Sequence, residues 1–336
     1  MADPGRLPHA LLFCGPAGTG KAKFCDAFAA RLLCEQPEAD FACGDCAGCR
    51  WLAAGNHPDF RLVTPESELE PQEHDADVLA ESLGGKDRKP STQIRVEQIR
   101  ALEDFVSLGT HRQGRRVIVI RPAEAMNVAT ANGLLKLLEE PTASTYIVVV
   151  TSSPAHLLAT IRSRCRRIDF SKPSRRDSLD WLAAEGVPDP ESVLALCGGM
   201  PLAAAEFAGG NRRQLWERFV ADMSDMLKSD PINAAARWET WLRPAPESER
   251  GLTLGDLVIW MQKWVFDLAL LKMTGRSIYH PGMQIGLQSA AKAAAISDLF
   301  ACYNDLLRAK AVAQHPLNTR LFLEDLALRY VRTICH

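Results

Sequence analysis

The chain has 336 residues, 47% apolar and 24% charged, the balance of an ordinary globular protein with room for two or three domains. With 39 basic and 41 acidic side chains the net charge is −2, which excludes a generic polybasic nucleic-acid binder but not a local basic patch. No apolar run reaches the roughly 18 residues of a membrane span, and the N-terminus lacks a secretory core. The expectation is a cytoplasmic protein with no membrane partner, whose ten cysteines serve as thiols or metal ligands rather than as disulfides.

Ala10–Cys14 is a short apolar run, followed at once by Gly15-Pro-Ala-Gly18-Thr-Gly20-Lys21. Lys21–Leu33 then has helical spacing through Phe24, Ala27, Phe28 and Leu32. A glycine loop between strand and helix is the context that gives such a motif chemical meaning. Gly15, Gly18 and Gly20 would let backbone N–H groups converge on phosphate oxygens at a helix N-terminus, and Lys21 would reach the terminal phosphates. The motif requires Ser or Thr next, because that hydroxyl binds Mg²⁺; here the residue is Ala22. Two readings stay open: a degenerate nucleotide loop, or an inherited turn with weak or no nucleotide binding.

Cys34, Cys43, Cys46 and Cys49 follow with the spacing C-x8-C-x2-C-x2-C. Four thiolates suit tetrahedral Zn²⁺, and a closed set with no open position implies a structural role. Cys14, Cys25, Cys165, Cys197, Cys302 and Cys335 are scattered and read as ordinary thiols. Phe60–Thr64 is a short extended piece. Pro65–Ser82 holds seven acidic residues and no Lys or Arg, and reads as a long exposed loop.

Val96–Val106 has helical spacing, and Val117–Ile120 is a continuous apolar run suited to a strand buried on both faces. Glu124–Glu139 reads as a helix stopped by Pro141, and Tyr146–Thr151 as another buried strand. Strands alternating with helices imply an open parallel sheet covered on both sides. An ATPase would place carboxylates for Mg²⁺ and water at the end of Val117–Ile120; Arg121-Pro122 stand there, with Glu124 two residues beyond. After a predicted helix at Ala155–Leu158, Ile161–Arg167 packs four arginines into six residues from Arg162. Three readings are open for it: a nucleic-acid-facing patch, an arginine presented to a neighbouring subunit's nucleotide, and solvated surface charge.

Beyond Ser171–Arg176 only helical periods remain: Ser178–Glu185, Pro190–Gly198 and Leu202–Ala208, then a linker at Gly209–Asn211. Leu254, Leu257, Val258, Met261, Trp264, Val265, Leu268 and Leu271 follow the spacing of one buried stripe, and Leu323, Leu326, Ala327, Tyr330, Val331 and Ile334 repeat it. The fold class is α/β followed by all-α.

Taken together, Leu11–Lys21, the four cysteines, Ala131-Asn-Gly-Leu-Leu-Lys-Leu-Leu-Glu-Glu-Pro141 and Thr160-Ile-Arg-Ser-Arg-Cys165 resemble bacterial clamp-loader subunits of the AAA+ class. The resemblance covers essentially the whole chain and is strongest over residues 7–170. It implies an AAA+ ATPase-like domain at 1–170 with an inserted zinc module at about 34–49, a small helical lid at 171–210 and a helical collar at 211–336 that oligomerises. It also implies structural zinc at the cysteines, and Arg164 projecting into the ATP site of an adjacent motor subunit. The implied partners are other clamp-loader subunits, ATPase motors and a delta-like subunit, met through the collar and Arg164. The sliding clamp and primed DNA would be met through the assembled complex. Motor subunits keep the Mg²⁺-binding hydroxyl, the acidic pair and a lid arginine; here Ala22, Arg121-Pro122 and Pro201 stand in those places. These departures sort the chain toward the non-hydrolysing, delta-prime-like branch, while Lys21 leaves nucleotide binding open. Two alternatives remain. One is an ATP-hydrolysing motor subunit relying on a carboxylate such as Glu124. The other is a zinc-bearing DNA-binding adaptor using Arg162–Arg167 with Arg112, Arg115 and Arg116.

Overall fold

A computed structural model describes residues 7–68, 91–107, 110, 114–140, 142, 144–226, 229–242, 252–282, 284–313, 315 and 317–335. Most of the acidic stretch within 65–82, and Arg112, lie outside the described residues. The chain divides into two compact units, Met1–Lys172 and Pro173–His336.

The first unit is built on five parallel strands: β1 (Ala10–Cys14), β2 (Phe60–Val63), β3 (Arg116–Ile120), β4 (Thr145–Thr151) and β5 (Arg166–Asp169). They lie in the order β2-β3-β4-β1-β5. Leu12 stands opposite Val149 and Ile118 opposite Ile147, which fixes the register of the sheet centre. Every residue of β1 and β3 is buried. This is the pattern of strands covered on both faces, each filled apolar side chain being worth about 1.5–3 kcal/mol. On one face Leu11, Phe13, Val117, Val119 and Val148 pack against α1 (Lys21–Leu33) through Cys25, Phe28, Ala29 and Leu32. On the other, Leu12, Ile118, Ile120, Ile147 and Val149 meet α3 (Val96–Ser107), α4 (Val128–Glu139) and α5 (Ala159–Arg164). The short α2 (Ala47–Ala53) belongs to the cysteine segment between α1 and β2.

Three sequence expectations need correction here. The helix expected from Glu124 begins at Val128: Ala123–Ala125 form a single 3-10 turn, Met126 is extended, and the Asn127 side chain caps α4 by accepting the Thr130 amide at 2.9 Å. The helix expected at Ala155–Leu158 is a 3-10 turn at Pro154–His156, with α5 starting only at Ala159. The arginine run is not one segment, because Arg162 and Arg164 end α5 whereas Arg166 and Arg167 open β5. As an exposed edge strand, β5 offers no apolar alternation from which to recognise it.

The second unit is all helical among its described residues: α6 (Arg175–Ala184), α7 (Pro190–Leu196), α8 (Pro201–Ala208), α9 (Arg212–Asp225), α10 (Pro231–Trp241), α11 (Leu254–Thr274), α12 (Gln284–Ala293), α13 (Ile296–Val312) and α14 (Thr319–Cys335). The longest, α11, has start and stop signals of its own. Thr253 and Asp256 form a capping box, and Gly275 ends the helix at φ 71°. Its stripe and that of α14 form the core, where Trp264 Nε1 donates to the Tyr330 hydroxyl at 2.7 Å. Asp267, fully buried on α11, accepts from the amides of Ile278, Tyr279 and His280 and pairs with His280 Nδ1 at 2.8 Å, pinning the loop that follows.

No single described helix is long and apolar enough to cross a membrane. The bent pair α7–α8 passes that test by composition, but Val193, Leu194, Leu196, Ala204 and Phe207 are buried in the helical core.

Candidate functional site

Chemistry-bearing residues gather at three places in the first unit. At the glycine loop, β1 delivers the chain to Gly15, whose backbone runs against Phe170; a Cβ there would lie 2.3 Å from the Phe170 carbonyl oxygen, at φ +155°. Gly20 takes φ 91° as the residue before α1, a conformation that a side chain resists. The strand, loop and helix anticipated from the sequence are therefore in place. Lys21, however, turns into its own loop: Nζ donates to the carbonyls of Gly15 and Pro16, both at 2.7 Å. Burial pushes its pKa below the ordinary lysine value, opposed by the charge of Glu124. Ala22 offers no hydroxyl beside it, and the Ala22 carbonyl is approached at 3.4 Å by Arg121.

Arg121, from the end of β3, pairs with Asp26 one turn into α1 at 2.6 Å. A guanidinium, neutralised by a helix carboxylate, therefore stands where a metal-binding carboxylate would be needed. Glu124 is already engaged, its Oε1 accepting the Ser152 amide at 3.1 Å, while Oε2 is buried without a hydrogen-bond partner. Asp26 was not singled out in the sequence. Its place four residues after Ala22, on the same face of α1, was the available signal.

The cysteine segment forms a closed cage. The sulfurs of Cys34, Cys43, Cys46 and Cys49 all lie within 4.8 Å of one another. Three separations are 3.5 Å for Cys34–Cys43, 3.9 Å for Cys34–Cys46 and 4.0 Å for Cys43–Cys49. A tetrahedron of metal–thiolate bonds of about 2.3 Å has edges of about 3.8 Å, so this donor set fits a tetrahedral metal ion and is able to hold one.

Backbone amides already point at the sulfurs: Cys43 N to Cys34 Sγ at 3.3 Å, Cys46 N to Cys43 Sγ at 3.4 Å and Cys49 N to Cys46 Sγ at 3.4 Å. Burial alone would raise the Cys46 thiol, but the amides of Cys49 and Glu35 and the neighbouring thiols outweigh it and bring it down to about 6. The cage is braced from α1, where Arg31 donates twice to the Ala39 carbonyl at 3.1 and 2.9 Å. Gly48 lets α2 sit against the end of α1; a Cβ there would be 2.7 Å from the Leu33 carbonyl oxygen.

The third place is the end of α5. Arg164 is exposed; its Nη1 donates to the Thr160 carbonyl at 3.0 Å and its Nη2 meets Glu139 Oε1 at 2.5 Å. Glu139 belongs to the Ala131–Pro141 motif, but no local pattern pairs it with Arg164 across an intervening strand. Two of the remaining arginines are held by partners within the unit. Arg167 pairs with Asp169 at 2.7 Å, and Arg116 is buried, donating to the Val106 carbonyl at 2.8 Å and lying 4.7 Å over the Phe105 ring. That removes Arg116 from the set of DNA-facing residues expected for an adaptor.

A family model described as DNA polymerase III, delta subunit, matches residues 1–174. The DNA polymerase III subunit delta′ of Pseudomonas aeruginosa is 36% identical over 270 residues, covering 79% of this chain and 73% of the relative. The delta′ subunit of Escherichia coli is 33% identical over 211 residues, covering 62% and 57%. A solved DNA polymerase III gamma subunit-related protein from Thermotoga maritima aligns with 98% of this chain and 96% of its own at 15% identity and a TM-score of 0.47, a likeness too loose to bear on the fold. The family model spans just over half of the chain and the Pseudomonas relative runs across most of both sequences, so the chain belongs to the DNA polymerase III delta-prime subunit family.

Proposed function

We propose that the chain is the non-hydrolysing member of a clamp-loader assembly, lending Arg164 to the ATP site of an adjacent motor subunit while the assembly places a sliding clamp on primed DNA. The observation that carries this reading is the contrast between two sites of one unit. The chain's own nucleotide loop is filled by Lys21 and flanked by the Arg121–Asp26 pair, whereas Arg164 stands exposed on a helix end. A guanidinium supplied by a neighbour neutralises charge that develops on the transferred phosphoryl group, an effect of about 10³–10⁵ in rate in GTPases.

Within this reading, residues 1–170 are an ATPase-like domain, 171–210 a lid, and 211–336 a collar that meets motor subunits and a delta-like subunit. The clamp and the DNA are reached through the assembled complex in the cytoplasm. Zn²⁺ would be held by Cys34, Cys43, Cys46 and Cys49 as a structural staple, supplying cross-linking and no catalysis.

Mg²⁺-dependent ATP hydrolysis by the isolated chain, with Lys21→Ala as control, tests the inert half of the proposal. Turnover equal to the control supports it. Turnover that the substitution abolishes makes the chain itself a motor.

A further inference from the structure

Glu139 closes α4 and Arg164 closes α5, with β4 between them in the chain, yet their charged groups meet at 2.5 Å. The other hold on Arg164 is its own Nη1 on the Thr160 carbonyl at 3.0 Å. A guanidinium carries five N–H donors, so these two bonds, one on each terminal nitrogen, leave three N–H groups for another partner, and the side chain is 35% exposed. The basic residue one turn before Glu139 does not compete for it: Lys136 is drawn to Glu103 on α3 at 3.5 Å.

An unguided arginine samples many rotamers and loses them all on reaching a fixed target. A carbonyl on Nη1 and a carboxylate on Nη2 remove much of that freedom in advance. We propose that Glu139 is the positioning residue of Arg164, holding the guanidinium so that its remaining N–H groups meet a neighbour's nucleoside triphosphate. This rests on the reading of Arg164 as an arginine supplied in trans. Glu139 touches no phosphate in this account; it acts only through Arg164.

The test uses the full chain assembled with its DNA polymerase III partner subunits. Steady-state hydrolysis against ATP concentration is compared for the wild type, Arg164→Ala, Glu139→Ala, Glu139→Gln and the double alanine variant, with assembly checked by gel filtration. Glu139→Ala is expected to lower kcat roughly three- to tenfold and to leave KM within about twofold, because a misplaced group costs most in the transition state. Glu139→Gln, which keeps a neutral acceptor, falls between. The double variant matches Arg164→Ala alone, since two residues acting as one unit are not additive.

An unchanged or raised kcat in Glu139→Ala beside a lowered one in Arg164→Ala overturns the positioning role and leaves the trans arginine standing. An additive loss in the double variant overturns it too, as it would place Glu139 in a separate structural role. No loss in Arg164→Ala overturns the trans arginine and the role of Glu139 with it.

Discussion

The carboxylate of Glu139 and the guanidinium of Arg164 stand 2.5 Å apart, tying the last residue of α4 to the last residue of α5. The two groups belong to the two sequence motifs that most set this chain apart, Ala131–Pro141 and Thr160–Cys165. Their side chains are 48% and 35% exposed, and a pair that open to solvent contributes about 0–1 kcal/mol to stability. What the contact does is orient.

That exposure gives a stability prediction separate from any effect on rate. Glu139→Ala should lower the unfolding free energy of the isolated chain by no more than about 1 kcal/mol in denaturant titrations. A loss of several kcal/mol would mean that Glu139 holds up the packing of α4 rather than a side chain at its surface.

The cysteine cage predicts one metal ion per chain. Protein purified without chelator should contain about one equivalent of zinc, and Cys46→Ser should remove it and lower Tm by at least roughly 5 °C, because binding free energy at a closed thiolate site is folding free energy. Elemental analysis with thermal unfolding reads both. Metal-free protein with an unchanged Tm in the variant would show that the cage is held by its own backbone bonds.

Restoring a hydroxyl at residue 22 should not restore hydrolysis. Ala22→Thr supplies one missing Mg²⁺ ligand, but the Arg121–Asp26 pair at 2.6 Å still occupies the place of the carboxylates. The isolated variant should turn over ATP no faster than its Lys21→Ala counterpart. Measurable Mg²⁺-dependent turnover would show that Ala22 is the sole lesion and that Glu124 serves.

Tyr330 predicts an alkaline weakness in the second unit. Burial pushes its hydroxyl above the ordinary tyrosine range, while the unfolded chain ionises near the usual value of about 10. The unfolded state therefore sheds this proton first as pH rises, so the contribution of Tyr330 is intact below about pH 10 and declines above it. Tyr330→Phe should flatten that decline. At neutral pH it should cost about 1–3 kcal/mol, because the buried Trp264 Nε1–H loses its acceptor. Urea unfolding at pH 7 and pH 10.5 separates the two effects.

Legibility in the sequence followed how locally each feature is determined. The bounds of β1 and α1, and the four-cysteine set, were readable because an apolar run, a glycine loop and a C-x2-C spacing each act over a few residues. The start of α4 was missed because an Asn127 cap overrode the apolar period running back to Glu124. β5 was missed because an exposed edge strand that opens with two arginines resembles a basic loop. The Arg121–Asp26 and Glu139–Arg164 pairs join residues 95 and 25 positions apart in the chain, so no local spacing pairs one partner with the other. Arg116 misled for the opposite reason. A cation beside other cations reads as surface, yet its guanidinium is buried against Phe105 and the Val106 carbonyl.

The proposed division of labour has this chain hydrolysing nothing and completing the site of its neighbour. The decisive measurement is the steady-state ATPase rate of the assembled complex carrying Arg164→Ala, with assembly confirmed on the same sample. A fall of at least roughly tenfold with the complex intact is expected. An intact complex that hydrolyses ATP at the wild-type rate would contradict it.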